Sequence, residues 1–176
     1  MTAQESYYGA TLANLEMIRT GTTSYVDMHM TVDESAKAAF DSGMRVCLTR
    51  GLVGDTRNDE GGIRRLKEAL SDNEKWCDKD RLTTMLAPHA PYSCGPDYLK
   101  YIAEFAKENG FGIHIHLAEG INEIEGIREK YGITPIEYAD RAGVFDVRTI
   151  AAHCVHLTDN DFEILKEKHE IGRAHV

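Results

Sequence analysis

The stretch GIHIHLAE, residues 112–119, decides how this chain of 176 residues folds. Apolar residues alternate with histidines here, and a period of two is typical of a strand. His114 and His116 are therefore expected on one strand face, with Glu119 just past the strand end. Imidazole at a strand end is a good zinc ligand. A lone histidine at such a place is nevertheless more often a hydrogen-bonded interior side chain.

The same kind of short apolar or β-branched run occurs five times, and each run is followed by a segment of helical period. The predicted strands are Thr23–Met28, Arg45–Leu52, Leu82–Ala87, Gly112–Leu117 and Thr149–His156. Strands that alternate with helices predict an α/β fold with a parallel sheet and right-handed crossovers.

Helix start and stop signals support this alternation. Helices are predicted over Ser6–Thr20, Asp33–Gly43, Glu60–Trp76, Asp97–Asn109, after Thr134, and from Thr158 to about His169. The clearest start is TPIE at residues 134–137. It combines an N-cap threonine, a proline at the first helical position and a capping-box glutamate.

Two observations favour a barrel over a doubly wound sheet. No strand is followed by a glycine-rich phosphate turn of the GxGxxG type. Polar residues capable of chemistry follow the carboxyl ends of several strands, as in barrel active sites. A (β/α)8 barrel typically needs about 250 residues. We therefore predict a partial TIM-type barrel, about strands 2 to 6 with their helices.

Composition excludes some classes of partner. The chain has 20 Lys and Arg against 29 Asp and Glu, a net charge of −9, which argues against a nucleic-acid backbone as ligand. No apolar run is long enough for a membrane span, and the first residues do not resemble a signal peptide. The four cysteines form no CxxC pair and are expected as reduced thiols. A cytoplasmic protein without a membrane partner is predicted.

Three successive strands each carry a histidine at or near the same rim: His89, His116 and His153. Three such residues on neighbouring strands favour a functional site over unrelated interior histidines. His153 lies in the apolar run IAAHCVHL, residues 150–157, where a buried imidazole needs a partner. Glu119 could move protons to and from a metal-activated water. Taken alone, it would be read as a solvated loop carboxylate.

Five segments carry a resemblance to a known family. They are HIHLAE (114–119), AAHCVHL (151–157), LTRGLVG (48–54), APHAPYSC (87–94) and YYGATLANLEMIRTGTTSYVDM (7–28). Together they resemble the amidohydrolase superfamily, and within it the branch of 5-methylthioadenosine/S-adenosylhomocysteine deaminases and triazine hydrolases. The likeness extends over about residues 5–169.

The resemblance implies roles for the strand-end residues. His116 would be a metal ligand, and Glu119 would be the general acid/base. His153 would orient the attacking hydroxide, and His89 would line the substrate pocket. His114 is interpreted as a structural residue that supports the site.

The resemblance also implies two arginines that reach the ribose or its 5′ substituent. Arg50 is the first, and Arg65 is the second, with Arg64 as an equally good candidate for the second place. The cofactor implied is one divalent metal ion. Zinc is expected, and iron and manganese accept the same ligand type.

The implied activity is metal-dependent hydrolytic deamination of adenosine-type nucleosides, which yields inosyl products and ammonia. The partner is thus a small-molecule nucleoside, and a homo-oligomer stays open. One alternative is a triazine or another purine or pyrimidine as substrate of the same fold. Another alternative is a non-catalytic remnant or interaction module.

Residues 1–170 are predicted to be the central part of an amidohydrolase barrel. Family members supply two further ligands from an earlier His-x-His strand and one from a later strand-end Asp, so this segment is expected to be inactive alone. Residues 171–176, IGRAHV, match a reading frame of a common sequencing adapter and are interpreted as a non-native tail.

Overall fold

The computed structural model describes residues 2–77, 79 and 81–168. The predicted tail at residues 171–176 lies outside the described residues. None of the helices in the described ranges has both the length and the apolar character of a membrane span.

Five strands form one sheet in which each strand neighbours the next along the chain, in the order β1-β2-β3-β4-β5. Their bounds are β1 Ser24–His29, β2 Arg45–Leu52, β3 Leu82–Pro88, β4 Ile113–Leu117 and β5 Thr149–His153. The pairs β1–β2, β3–β4 and β4–β5 are parallel. The predicted strands and their parallel arrangement are confirmed, although the last one ends at His153 instead of His156.

Helices separate the strands. Their bounds are α1 Ala3–Arg19, α2 Val32–Ser42, α3 Glu60–Trp76, α4 Pro96–Asn109, α5 Ile121–Tyr131, α6 Pro135–Arg141 and α7 Asp159–Glu167. The predicted start of α6 is confirmed. The Glu137 N–H donates to Thr134 Oγ1 at 3.1 Å, and the Thr134 N–H donates to the Glu137 carboxylate at 2.8 Å. Helix α5 was not predicted from the sequence.

The chain divides into two compact units, which are described separately. The first consists of Met1–Gly51 and Arg65–Met85, and the second of Leu52–Arg64 and Leu86–Val176. An apolar cluster of β2, α2 and neighbouring segments forms the core of the first unit. Its buried members are Val32, Ala36, Ala39, Met44, Val46, Leu48, Trp76 and Leu82.

Helix α1 presents a large part of its apolar surface to solvent. Tyr8, Leu12 and Leu15 are all more than half exposed, whereas Ser6 and Asn14 are buried. The Asn14 side-chain amide donates to Ser42 Oγ at 3.0 Å. The helical period predicted which residues share a face, but it does not reveal which face meets the core.

The second unit is built around Tyr98 of α4. Its ring lies against Gly54 and Gly62, where a Cβ atom would come within about 3 Å of the ring. Its hydroxyl donates to the Gly62 carbonyl at 3.0 Å. The two glycines are therefore required for close packing around one buried aromatic side chain.

Asp33, near the start of α2, ties that helix to α3 in the first unit. Its carboxylate accepts from the Trp76 indole N–H at 2.8 Å and from Lys75 at 2.5 Å, and Lys37 lies 3.2 Å away. Burial raises the pKa of Asp33, but these three donors outweigh it. The pKa is therefore lowered from its ordinary value.

We predict that Asp33 stabilises the fold at neutral pH and not in acid. The unfolded chain takes up a proton first, so the stabilisation is present above about pH 4 and is lost as the pH falls through the folded-state pKa. Urea unfolding of wild type and Asp33→Asn should differ at pH 7 and converge as the pH falls through the folded-state pKa of Asp33. Glu74→Gln, at an exposed site of α3, is the control, and a difference that is independent of pH would contradict the prediction.

Glycines at two positions are expected to differ in their tolerance of alanine. A Cβ on Gly95 would overlap the backbone oxygen of Asp55, whereas no described atom lies within 4 Å of a Cβ on Gly126. Gly95→Ala should lower the free energy of unfolding by about 1–3 kcal/mol. Gly126→Ala, inside α5, should raise it by about 0.5–1 kcal/mol. Denaturant titration of both variants tests this, and equal effects would contradict it.

Candidate active site

The second unit brings the carboxyl ends of three neighbouring strands together. The His116 N–H donates to the His89 carbonyl at 3.0 Å, and the Cys154 N–H donates to the Leu117 carbonyl at 2.9 Å. These backbone hydrogen bonds set three imidazoles side by side. The His116 ring centroid lies 5.3 Å from that of His89 and 5.1 Å from that of His153.

Glu119 joins this group from the segment after β4. Its Oε1 lies 3.5 Å from His153 Nε2, and its side chain is about half exposed. One donor atom each from His116, Glu119 and His153 lies within 4.8 Å of the other two. The structure therefore brings together the residues that the sequence analysis predicted to act on a metal-activated water. Their individual roles stay predictions.

Unusual backbone geometry accompanies the two strand ends. Ala118, His153 and Cys154 have φ values of 52°, 74° and 52°. L-residues adopt this left-handed region infrequently, and each instance costs free energy unless the surroundings compensate for it. Two of the three positions adjoin Glu119 or carry a site side chain, so the backbone turns sharply where the chemistry is predicted.

His116 fits a metal ion. Its Nε2 is buried and has no hydrogen-bond partner among the described residues. Burial, reinforced by His89 and His153, lowers the pKa of His116 to about 4. The imidazole is thus neutral at pH 7, and neutral imidazole nitrogen is the form that binds zinc.

His114 lies beside His116 and is almost completely buried. Its ring centroid is 5.4 Å from that of His116. Burial, with smaller contributions from His116 and His153, lowers its pKa to about 4. The shared strand face predicted for the two histidines agrees with this proximity.

His89 is held by a serine that the sequence analysis did not single out. His89 Nδ1 lies 2.8 Å from Ser93 Oγ, and that hydroxyl also donates to the Ala90 carbonyl at 3.1 Å. A hydroxyl has a single proton. Because the Ser93 proton is donated to the Ala90 carbonyl, His89 Nδ1 must carry a proton and donate it to Ser93 Oγ. Nε2 of His89 is then left as an acceptor. Burial lowers the pKa of His89.

Glu123 is the second residue that the sequence analysis missed. It is the third residue of α5, it is buried, and its carboxylate contacts the backbone that carries Glu119. The spacing between Gly120 and Glu123 was the available signal, because an acid three residues after a helix N-cap tends to bind backbone N–H groups. A glycine at the cap position concealed the pattern.

The predicted substrate arginines, Arg50 and Arg65, both belong to the first unit. Arg50 Nη2 and Nε donate to the Glu68 carboxylate at 2.8 and 3.2 Å, and its Nη1 donates to the Gly51 carbonyl at 2.9 Å. Arg65 lies on α3 and is partly buried. Their role towards a ribose stays a prediction.

Cys154, next to His153, is not set up as a nucleophile. It is buried, and burial raises the pKa of its thiol to about 11. A thiol with so high a pKa stays protonated at neutral pH, whereas the thiolate is the reactive form. No disulfide involves any of the four cysteines in the described residues.

Comparison with known proteins agrees with the family resemblance of the sequence. The model of the Amidohydrolase family matches residues 1–175. A 5-methylthioadenosine/S-adenosylhomocysteine deaminase of Pelotomaculum thermopropionicum is 46% identical over 98% of this chain and 39% of its own length. The enzyme of that name from Moorella thermoacetica is 43% identical over 98% of this chain and 40% of its own. The chain thus spans about two fifths of these relatives.

Solved structures show the same partial coverage. A zinc-bound adenosine deaminase from Xanthomonas campestris matches 98% of this chain and 39% of its own, with a TM-score of 0.88 and 25% identity. The chlorohydrolase TrzN of Arthrobacter aurescens, complexed with zinc, matches 94% of this chain and 41% of its own, with a TM-score of 0.81 and 19% identity. The predicted partial amidohydrolase barrel is confirmed.

We predict that the full-length protein that contains this chain binds Zn²⁺ through His116. His116→Ala should weaken binding at least about tenfold, because a ligand nitrogen is lost. His156→Ala is the control, since His156 is exposed and follows the same strand. Equilibrium dialysis with elemental analysis measures both variants. Equal affinity of His116→Ala and wild type would contradict the prediction.

Proposed function

Because the chain belongs to the amidohydrolase family, we propose that it forms the central part of the barrel of a metal-dependent nucleoside deaminase. The substrates are 5-methylthioadenosine, S-adenosylhomocysteine or adenosine. Water replaces the amino group of the adenine ring, and the products are the inosyl compound and ammonia. The observation that carries this proposal is the convergence of His116, Glu119 and His153 within 4.8 Å.

The choice of a nucleoside rests on the relatives. Those at 43–46% identity are named as deaminases of these two thioether nucleosides. TrzN, with 19% identity, supports only the fold. We therefore favour a nucleoside over a triazine as substrate.

His116 would hold the metal ion with its buried Nε2. Zinc is the expected ion, and iron or manganese would suit the same nitrogen. When bound, such an ion makes water acidic enough to supply a nucleophile near neutral pH. The two further histidines and the aspartate that the family resemblance implies lie outside this segment, so the longer protein would complete the ligand set.

Glu119 would act as the general acid/base. Its carboxylate is half exposed, so it can reach both a water and the substrate ring. It would accept a proton from the water and return it to a ring nitrogen and then to the leaving ammonia. In one catalytic cycle the Glu119 carboxylate would transfer protons between several atoms, and a side chain that can rotate on a fixed backbone suits this role.

His153 and His89 would complete the pocket. His153 Nε2 lies 3.5 Å from Glu119, so it can orient the attacking water beside that carboxylate. His89 is half-buried, and Ser93 fixes its ring orientation. With Nδ1 engaged, only Nε2 remains for the substrate ring.

The direct test is an assay of the full-length protein that contains this chain. The protein, supplied with zinc, is incubated with each of the three nucleosides. Deamination shifts the ultraviolet absorption from that of adenine to that of hypoxanthine. Turnover of at least one nucleoside supports the proposal. The absence of turnover with all three, in a zinc-loaded folded protein, overturns it.

We predict that Glu119→Gln in the same protein lowers kcat by about 10²–10⁴-fold, because the proton carrier is lost. Zinc content should be unchanged, since His116 is intact. Glu125→Gln, on the exposed face of α5, should keep wild-type kcat. Near-normal turnover of Glu119→Gln would contradict the proton-transfer role.

A further inference from the structure

The segment Ala118–Gly120 links β4 to α5 and carries Glu119. Gly120 is the N-cap of α5, and glycine has no side chain with which to bind the free N–H groups of the first turn. The backbone groups of Ala118 and Glu119, before the cap, form hydrogen bonds with residues outside the segment.

Glu123 supplies two of these hydrogen bonds. One of its carboxylate oxygens accepts from the Glu119 N–H at 2.9 Å, and the other accepts from the Ala118 N–H at 3.2 Å. The Glu123 side chain is buried, with 7% of the residue exposed. Hydrogen bonds from backbone N–H groups to a carboxylate are charge-assisted and stronger than neutral ones.

Other helices of this chain use the same position differently. In α1 and α6, the third residue is also a glutamate, and its carboxylate accepts from the N–H of the N-cap residue itself. In α5, the carboxylate reaches one and two residues further back. Glu123 therefore does more than close the first turn of a helix, because it restrains the backbone of Glu119.

The opposite side of the same peptide is also restrained. The Ala118 carbonyl accepts from the Val155 N–H at 3.0 Å and from the His156 N–H at 3.1 Å. Ala118 has a φ of 52°, a conformation that an alanine keeps only when its surroundings impose it. Hydrogen bonds on both sides of Ala118 thus fix the direction in which the Glu119 side chain leaves the backbone.

We propose that Glu123 is a positioning residue: its buried carboxylate holds the Ala118–Glu119 backbone so that the Glu119 carboxylate lies beside His153. This inference rests on the proposed function, in which Glu119 transfers the protons. Glu123 does not touch the substrate, and its effect on catalysis passes through Glu119. A misplacement of about 1 Å in such a group can lower a rate about 10²-fold.

The first test uses this chain without metal or substrate. Amide hydrogen exchange is followed by NMR in wild type, Glu123→Gln, Glu123→Ala and the control Glu125→Gln. Glu123→Ala should speed exchange of the Ala118 and Glu119 amides about tenfold or more. Glu123→Gln keeps one accepting oxygen and should give a smaller increase, whereas Glu125→Gln should leave both amides unchanged.

Two outcomes of this test overturn the proposal. Wild-type exchange of both amides in Glu123→Gln and Glu123→Ala would show that the carboxylate does not hold them. An equal increase throughout β4 would show general destabilisation in place of local positioning. If Glu123→Ala fails to fold, Glu123→Gln decides between the outcomes.

The second test measures turnover in the full-length protein. Glu123→Gln should lower kcat at least about tenfold with an unchanged KM and zinc content, because substrate and metal ligands are untouched. An unchanged kcat, or a raised KM alone, overturns the positioning role. If the wild-type protein deaminates no nucleoside while the amide effect is present, the proposed function fails and the backbone restraint stands.

Discussion

The hydrogen bonds between the carboxyl ends of β3, β4 and β5 are the constraint on which the site depends. The His116 N–H binds the His89 carbonyl, and the Cys154 N–H binds the Leu117 carbonyl. Because parallel strands end at the same edge of a sheet, residues far apart in sequence come together at that edge. A shift of one residue in either pairing would turn the site side chains to the other face.

The histidines and the glutamate of the site differ in their exposure to solvent, as their predicted roles require. Neutral histidines are buried where a metal ligand needs an unprotonated nitrogen, and burial itself lowers the pKa of His116 and His114. Glu119 stays half exposed, and its backbone N–H donates to the Glu123 carboxylate. Rigid positioning and access to substrate are therefore assigned to different carboxylates that are four residues apart.

The sequence predicted those features that follow from short-range periodicity. The alternation in GIHIHLAE indicated the strand, the shared face of two histidines and the position of Glu119 beyond the end. The sequence did not indicate that the apolar side chains of α1, such as Leu12, are exposed. The helical period shows which residues share a face, but not whether that face meets the core or the solvent. Glu123 was missed because a glycine occupies the N-cap position of α5 and conceals the capping pattern. The Arg50–Glu68 pair was missed because it joins a strand to a later helix.

The central claim is that these strand ends form one metal-assisted hydrolytic site. An anomalous difference map at the zinc absorption edge, from crystals of the full-length protein that contains this chain soaked in Zn²⁺, tests it most directly. The strongest peak should lie within bonding distance of His116 Nε2, beside Glu119 and His153. A strongest peak on surface carboxylates, with His116 Nε2 empty, would contradict the account.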